Sequence, residues 1–316
     1  MSCRHCGSDC KVQPEVMDMP AKDFLRVIDT LTPHVDPHKV FVIFTGGEAL
    51  LRDDLEQVGL ELYRREYPWG LVTNGFLLDE RRLQSLLASG MHSITVSLDG
   101  PEEQHNWIRR HPRSYGKATE AIGLLAKQKD LMWDVVTCVN PHNYPRLAEF
   151  KEQLTAMGVP AWRLFSIFPM GRAAADPDLQ LDDGQFRGLL DFICECRANS
   201  GLRVSYACEA FLGEYEQRVR DRFFFCRSGI DVASIRCDGA ISGCTSVRSH
   251  MDQGNIYHDD FWDVWQNRFH VMRDRSWARK NQCASCKVWR YCEGSGLHLY
   301  DDDGCLLTCH YHRLEK

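Results

Sequence analysis

Val40-Phe41-Val42-Ile43-Phe44-Thr45-Gly46-Gly47-Glu48-Ala49-Leu50 joins a short all-apolar run to a glycine pair and an acid. Such a run predicts a strand that ends at the glycines. The same strand-and-helix unit recurs around it. Upstream, Phe24, Leu25, Ile28 and Leu31 fall at helical spacing. Downstream, Leu55, Val58 and Leu62 mark a helix, followed by Leu71-Val72 and the turn Thr73-Asn74-Gly75. Helix 80–88 leads to Ile94, Val96 and Leu98, which alternate and stop at Asp99-Gly100. Helix 115–128 leads to Val135-Val136-Thr137-Cys138-Val139 and Asn140, and helix 145–157 to Leu164, Phe165, Ile167 and Phe168, closing with Pro169-Met170-Gly171-Arg172. Five strands in βα repeats predict an α/β fold, a parallel sheet or partial barrel with helices outside. In such folds chemistry gathers at the carboxyl ends of the strands. Any one of these polar or glycine-rich segments is an ordinary strand-to-helix turn, but five at one rim predict a ligand site.

The chain has 316 residues, 44% hydrophobic and 26% charged, enough for one large core with an appended module or for two small domains. A net charge of −6 gives no electrostatic footprint for nucleic acid or an anionic membrane. No apolar stretch reaches the length of a bilayer span, and the charged, cysteine-bearing start is unlike a secretory signal, so the expected address is cytoplasmic.

Fifteen cysteines are too many for an ordinary cytosolic chain, and without a signal peptide they point to metal or redox chemistry rather than disulfides. They are clustered. Cys3, Cys6 and Cys10 open the chain, Cys138 stands alone through residue 193, and eight lie between Cys226 and Cys309. Cys283-x2-Cys286-x5-Cys292 with Cys309 offers four thiolates, which suit tetrahedral zinc or an iron–sulfur cluster equally well. Upstream stands Cys226-x12-Gly239-x4-Cys244. The texture changes from residue 226 onward to a hairpin, a helix near 260–275 and cysteine-rich loops. The expected domains are 1–180, a helical connection at 181–225 that includes Phe211 to Val219, and 226–316.

That cysteine pattern resembles the SPASM domain of radical S-adenosylmethionine (SAM) peptide maturases. The resemblance implies an auxiliary [4Fe–4S] cluster on Cys283, Cys286, Cys292 and Cys309. It also implies a further cluster using Cys226, Cys244 and a cysteine where this chain has Gly296. Cys208, Cys237 and Cys305 are alternatives for that missing ligand, and the expectation is one auxiliary cluster. The first half resembles the same superfamily, as a partial (β/α)6 barrel. Gly46-Gly47-Glu48 is similar to its GGE motif, whose backbone holds the SAM amino group. By the same resemblance Ser97 and Asp99 lie where ribose contacts arise, and Arg109 lies where a guanidinium meets the SAM carboxylate. Thr73-Asn74 and Gly171-Arg172-Ala173 fall along the methionine and adenine rim. Cys3 and Cys6 match the second and third cysteines of the C-x3-C-x2-C loop, with His5 in its aromatic position. The first cysteine, and the strand leading into the loop, would precede Met1. Cys10 is an alternative third ligand, in reversed spacing that the loop geometry disfavours.

What the resemblance implies is reductive cleavage of SAM to a 5′-deoxyadenosyl radical, which abstracts hydrogen from a peptide or small protein. A flavodoxin- or ferredoxin-type donor would supply the electron. The segments Cys6–Cys10 and 294–314 are similar to a subgroup associated with small lipoproteins. Sulfatase-maturing relatives carry an aspartate after the Cys244 equivalent, where this chain has Thr245. Two other readings stand beside it: a cysteine-rich zinc or iron–sulfur binding protein with a degenerate SAM site, and a radical SAM enzyme acting on a small-molecule precursor. The residues name no catalytic acid or base.

Overall fold

A computed structural model describes residues 1–8, 10, 18–199, 201–207, 209–247 and 249–315. They fall into two compact units, Met1–Gln13 with Val35–Ala207, and Pro14–His34 with Cys208–Lys316.

The first unit is built on a parallel sheet whose strands follow chain order: β1 (Val42–Phe44), β2 (Trp69–Thr73), β3 (Met91–Ser97), β4 (Met132–Val139), β5 (Ala161–Ser166) and β6 (Arg203–Tyr206). Helices α2 (Leu55–Arg64), α3 (Glu80–Ala88), α4 (Glu102–Arg109), α5 (Ser114–Leu125), α6 (Leu147–Ala156) and α7 (Asp183–Asn199) fill the crossovers. The central strands are apolar along most of their length because helices cover them, as β2 illustrates with Trp69, Gly70, Leu71 and Thr73 all buried. Each helix answers with one stripe: Leu55, Val58 and Leu62 on α2, Ala118, Ala121, Ile122 and Leu125 on α5, Phe186, Leu189, Leu190 and Ile193 on α7. Trp162 is fully buried, and its indole N–H donates to the Thr137 hydroxyl at 2.8 Å.

The structure corrects the count of five strands. Residues 181–225 are not purely helical: α7 delivers the chain into β6, which pairs parallel to β5 with Ala161 opposite Arg203 and Leu164 opposite Tyr206. The expected helix from Phe211 to Val219 is reduced to a single turn at Gly213–Tyr215.

In the second unit β7 (Ser234–Ile235), β8 (Ala240–Ser242) and β9 (Gly254–Asn255) form a small antiparallel sheet, followed by α8 (Phe261–Asn267). Its core gathers Ile241, Met251, Val264, Phe269, Met272 and Leu297. Helix α1 (Ala21–Leu31) belongs here rather than with the α/β unit, because Val27 packs into this same cluster. Among the described residues no helix is long and apolar enough to cross a membrane.

Candidate functional site

At the carboxyl end of β1 the chain turns through Gly46, whose φ of 129° lies in the region open to glycine, into Gly47 and Glu48. The Glu48 carboxylate reaches across to the end of β2. It accepts the Thr73 hydroxyl at 2.6 Å and the Asn74 backbone N–H at 2.8 Å, and closes its own turn by accepting the Leu50 N–H at 3.2 Å. Gly46, Gly47, Glu48, Thr73 and Asn74 therefore form one ledge at the sheet rim. Among the described residues, a Cβ on Gly47 would meet the Cys10 Cβ at 3.9 Å and nothing closer.

Against this ledge lies the loop of Cys3, Cys6 and Cys10. The backbone N–H of Arg4 donates to the Ile108 carbonyl of α4 at 2.8 Å, and its guanidinium covers Trp107. The segment after β5 holds the other side. Arg172 donates from its backbone N–H to the Cys6 carbonyl at 3.0 Å, from Nε to the Cys3 carbonyl at 2.8 Å and from Nη1 to the Cys10 carbonyl at 2.9 Å. Gly171 has φ 58°, and a Cβ there would lie inside the van der Waals surface of the Cys6 and Gly7 carbonyl oxygens. The Cys6 thiol is held down to about 5, first by its hydrogen bond with the Cys10 side chain, against burial, with the Cys10 N–H and the Arg172 charge assisting. The structure thus puts Gly171 and Arg172 on the backbone of the cysteine loop. Sequence reasoning had placed them only along the rim.

Below the loop, Asp99 and Arg109 pair with each other. Arg109 Nε donates to Asp99 Oδ2 at 2.6 Å, and the other carboxylate oxygen accepts the Cys138 N–H at 2.9 Å. Burial opposes charge on Asp99 most strongly, yet the Arg109 guanidinium, the nearby His5 and His105 rings and the Cys138 N–H together hold the carboxyl below the usual range. Arg109 Nη1 also lies 4.0 Å from the Cys3 sulfur. Burial lowers His5 to about 4 and His105 to about 3, so both rings are neutral. The His5 Nε2 stands 4.0 Å from Asp99, while His105 Nδ1 accepts the Asp99 N–H at 2.9 Å. The ligand atoms of His5, Asp99 and Cys138 lie within 4.8 Å of one another. Asn143 donates to the Asp99 and Cys138 carbonyls at 2.8 and 2.9 Å, a support that sequence reasoning missed although Asn140 and Asn143 flank the turn after β4. Ser97 ends β3, half-buried, opposite Val136.

The second unit holds the other cysteines. Burial pushes up Cys283, Cys292 and Cys309, helped by the charges of Cys309 and Cys286 at Cys283, of Cys309 and Cys283 at Cys292, and of Cys286 at Cys309; Cys292 reaches about 12. Cys283 is buried and Cys286, Cys292 and Cys309 are half-buried, and thiols whose negative charges oppose one another are a donor set that a cationic metal centre relieves. Cys226 and Cys244 pack against a common apolar cluster, and Arg275 bridges the Cys226 and Ser295 carbonyls at 2.8 and 3.1 Å. At Gly296 a Cβ would meet the Glu209 carbonyl and the His298 ring at 2.6 Å, so neighbouring groups fill the space a side chain would take. Cys237 is exposed; Cys305, also exposed, lines a cleft with Cys283 rather than joining Cys226; Cys208 lies outside the described residues.

Both donor sets fit iron–sulfur clusters. The loop thiols have a pinned backbone and adjacent guanidiniums beside the Gly47 ledge, and in the second unit Cys283, Cys286, Cys292 and Cys309 are near enough to act on one another's charge. The Radical SAM superfamily model matches residues 1–154, and SPASM, an iron-sulfur cluster-binding domain, matches residues 226–287. The chain is 22% identical to the AdoMet-dependent heme synthase of Nitratidesulfovibrio vulgaris, over 96% of this chain and 86% of that protein. It is 26% identical to mycofactocin maturase MftC of Mycolicibacterium smegmatis, over 93% of this chain and 74% of that protein. The solved structure of native anSMEcpe with bound AdoMet and Kp18Cys peptide matches with a TM-score of 0.76 at 19% identity, covering 100% of this chain and 91% of the other.

Proposed function

The chain is a radical SAM superfamily enzyme with a C-terminal SPASM domain, and from that premise we propose that it takes a hydrogen atom from a peptide or small protein. The observation that carries the proposal is the meeting of three elements in one unit: the Glu48–Thr73–Asn74 ledge, the Arg172-pinned cysteine loop and the Arg109–Asp99 pair. When bound, the [4Fe–4S] cluster and SAM supply a reductively generated 5′-deoxyadenosyl radical. Cys3 and Cys6 hold the cluster, with Cys10 alongside. The Gly46–Gly47 backbone, kept open and shaped by Glu48, takes the methionine end of SAM; Thr73 and Asn74 extend that ledge. Arg109 meets the SAM carboxylate, and Asp99 serves the site by fixing that guanidinium, since both its oxygens are engaged inside the protein. Ser97 and Gly171 line the same rim. Cys283, Cys286, Cys292 and Cys309 hold one auxiliary cluster, and a flavodoxin- or ferredoxin-type protein supplies electrons.

A peptide substrate is supported by the likeness to mycofactocin maturase and, over 50% of this chain, to the PqqA peptide cyclase of Granulibacter bethesdensis. A second reading, a tetrapyrrole-type small molecule, is favoured by the heme synthases, whose likeness spans 96% of the chain. The test is anaerobic. Reconstituted protein with SAM and dithionite should release 5′-deoxyadenosine, and Cys3→Ala with Cys6→Ala should abolish it. Small proteins encoded beside the gene, co-expressed with the enzyme, should change mass only with the unsubstituted chain. A Soret shift on titration with iron coproporphyrin III, with no such mass change, would move the substrate to the second reading.

A further inference from the structure

We propose that Arg172 is the positioning residue of the cysteine loop, fixing its backbone through three carbonyls and setting the reduction potential of the cluster it holds. This inference rests on the reading of Cys3 and Cys6 as cluster ligands. Cys3, Cys6 and Cys10 carry the three thiols of the loop, and Arg172 hydrogen-bonds the carbonyl of every one of them. Only a planar fork with donors on separate edges spans the Cys3 and Cys10 carbonyls at once, while the backbone N–H of the same residue takes the third. Gly171 makes that approach possible, because any side chain there would strike the Cys6 and Gly7 carbonyls.

The second consequence is electrostatic. Arg109, paired with Asp99 at 2.6 Å, also lies near the loop. Arg172 brings a guanidinium that its bonds to the Cys3 and Cys10 carbonyls hold against the cysteine loop itself. A thiolate-ligated cluster gains negative charge on reduction, so a fixed cation beside it favours the reduced state and raises the potential. One side chain therefore does two separable things: hydrogen-bonding geometry orders the loop, and charge tunes the cluster.

The separation is the test. Full-length wild type, Arg172→Gln and Arg172→Lys are reconstituted anaerobically. Two quantities are read: the rate of iron release to a ferrous chelator, and the midpoint potential of the EPR signal that shifts when SAM is added. Arg172→Gln should release iron about tenfold faster or more, having lost two charge-assisted hydrogen bonds, and its potential should fall. Arg172→Lys keeps the charge without the fork, so its potential should stay near wild type while iron release remains fast. Equal release rates and potentials in wild type and Arg172→Gln overturn the inference, as does a lysine variant that behaves like glutamine in both. A wild-type chain with no SAM-responsive signal instead overturns the underlying assignment of the loop, and the inference falls with it.

Discussion

Glu48 illustrates how a single carboxylate organises the rim. Its three acceptor contacts replace water for the buried Thr73 hydroxyl and for two backbone N–H groups. Glu48→Ala should cost about 2–4 kcal/mol, because it leaves those donors without an acceptor in a partly buried place. Glu48→Gln should cost less, since one oxygen remains while the amide opposes a donor. Urea unfolding gives the first number, and equilibrium dialysis with SAM should show weakened binding in both variants; an alanine variant as stable and as tight as wild type would count against the ledge. His298 gives a pH dependence. Burial lowers it to about 4 from an ordinary 6.5, with Glu209 opposing and His310 assisting. The unfolded chain binds this proton below pH 6.5 and the folded chain only below about 4. Stability should therefore fall as pH drops through that window, by about 3 kcal/mol from this residue. His298→Gln should flatten that part of the profile in denaturant melts. The glycine pair and the acid were legible in the sequence because a motif occupies consecutive positions. The Asp99–Arg109 pair was legible only as two residues near one rim: they stand ten residues apart, and it is the start of α4 after β3 that turns one onto the other.

Secondary-structure elements show where periodicity succeeds and where packing overrules it. Gly59 sits inside α2, where an alanine would be a better helix former by about 1 kcal/mol. A Cβ there, however, would enter the Trp69 ring of β2 from inside its van der Waals surface, and Trp69 is held in place by its indole N–H donating to the Ser89 carbonyl at 3.1 Å. Overpacking of this kind costs about 1–3 kcal/mol, so against the helix gain Gly59→Ala should be net destabilising by up to about 2 kcal/mol. With Trp69→Phe in the background the added cost of Gly59→Ala should shrink, because the clash is with the ring atoms that phenylalanine lacks; thermal melts of the four proteins of this cycle read it directly. The five strands read from sequence have apolar runs or clear alternation and end at polar turns. Strand β6 escaped because it is four residues long and only Val204 and Tyr206 face the core. Its identity as a strand comes from pairing with β5, a long-range contact that no local pattern encodes. The reverse holds at Phe211 to Val219, where apolar residues at helical spacing form only one turn. Phe211 instead joins an aromatic group with Phe223, Tyr291 and Tyr311.

Across the whole molecule, the division of labour between cysteines was visible in their uneven distribution, since metal-ligating thiols must gather and structural ones need not. What the distribution could not reveal is which sets are complete. Helix α1 also reads from sequence as part of the α/β half, because nothing in its own stripe says that Val27 will meet Met251 and Val264. For the cysteines the structure supplies a criterion. Cys283, Cys292 and Cys309 raise or feel one another's charge together with Cys286. By contrast, the position that would complete Cys226 and Cys244 is Gly296, whose surroundings are filled by Glu209 and His298. Iron and acid-labile sulfide should therefore respond unequally to substitution. In anaerobically reconstituted protein, Cys283→Ser with Cys286→Ser should remove about four iron per chain, the content of one [4Fe–4S] cluster. Cys226→Ser with Cys244→Ser should leave the iron count unchanged and alter only stability, through the apolar cluster those side chains touch. A loss of about four iron in the second variant as well would mean that another group, among them Cys208 or Cys237, completes a further cluster. One zinc in place of iron in the unsubstituted chain would instead assign the four-thiol set a structural metal.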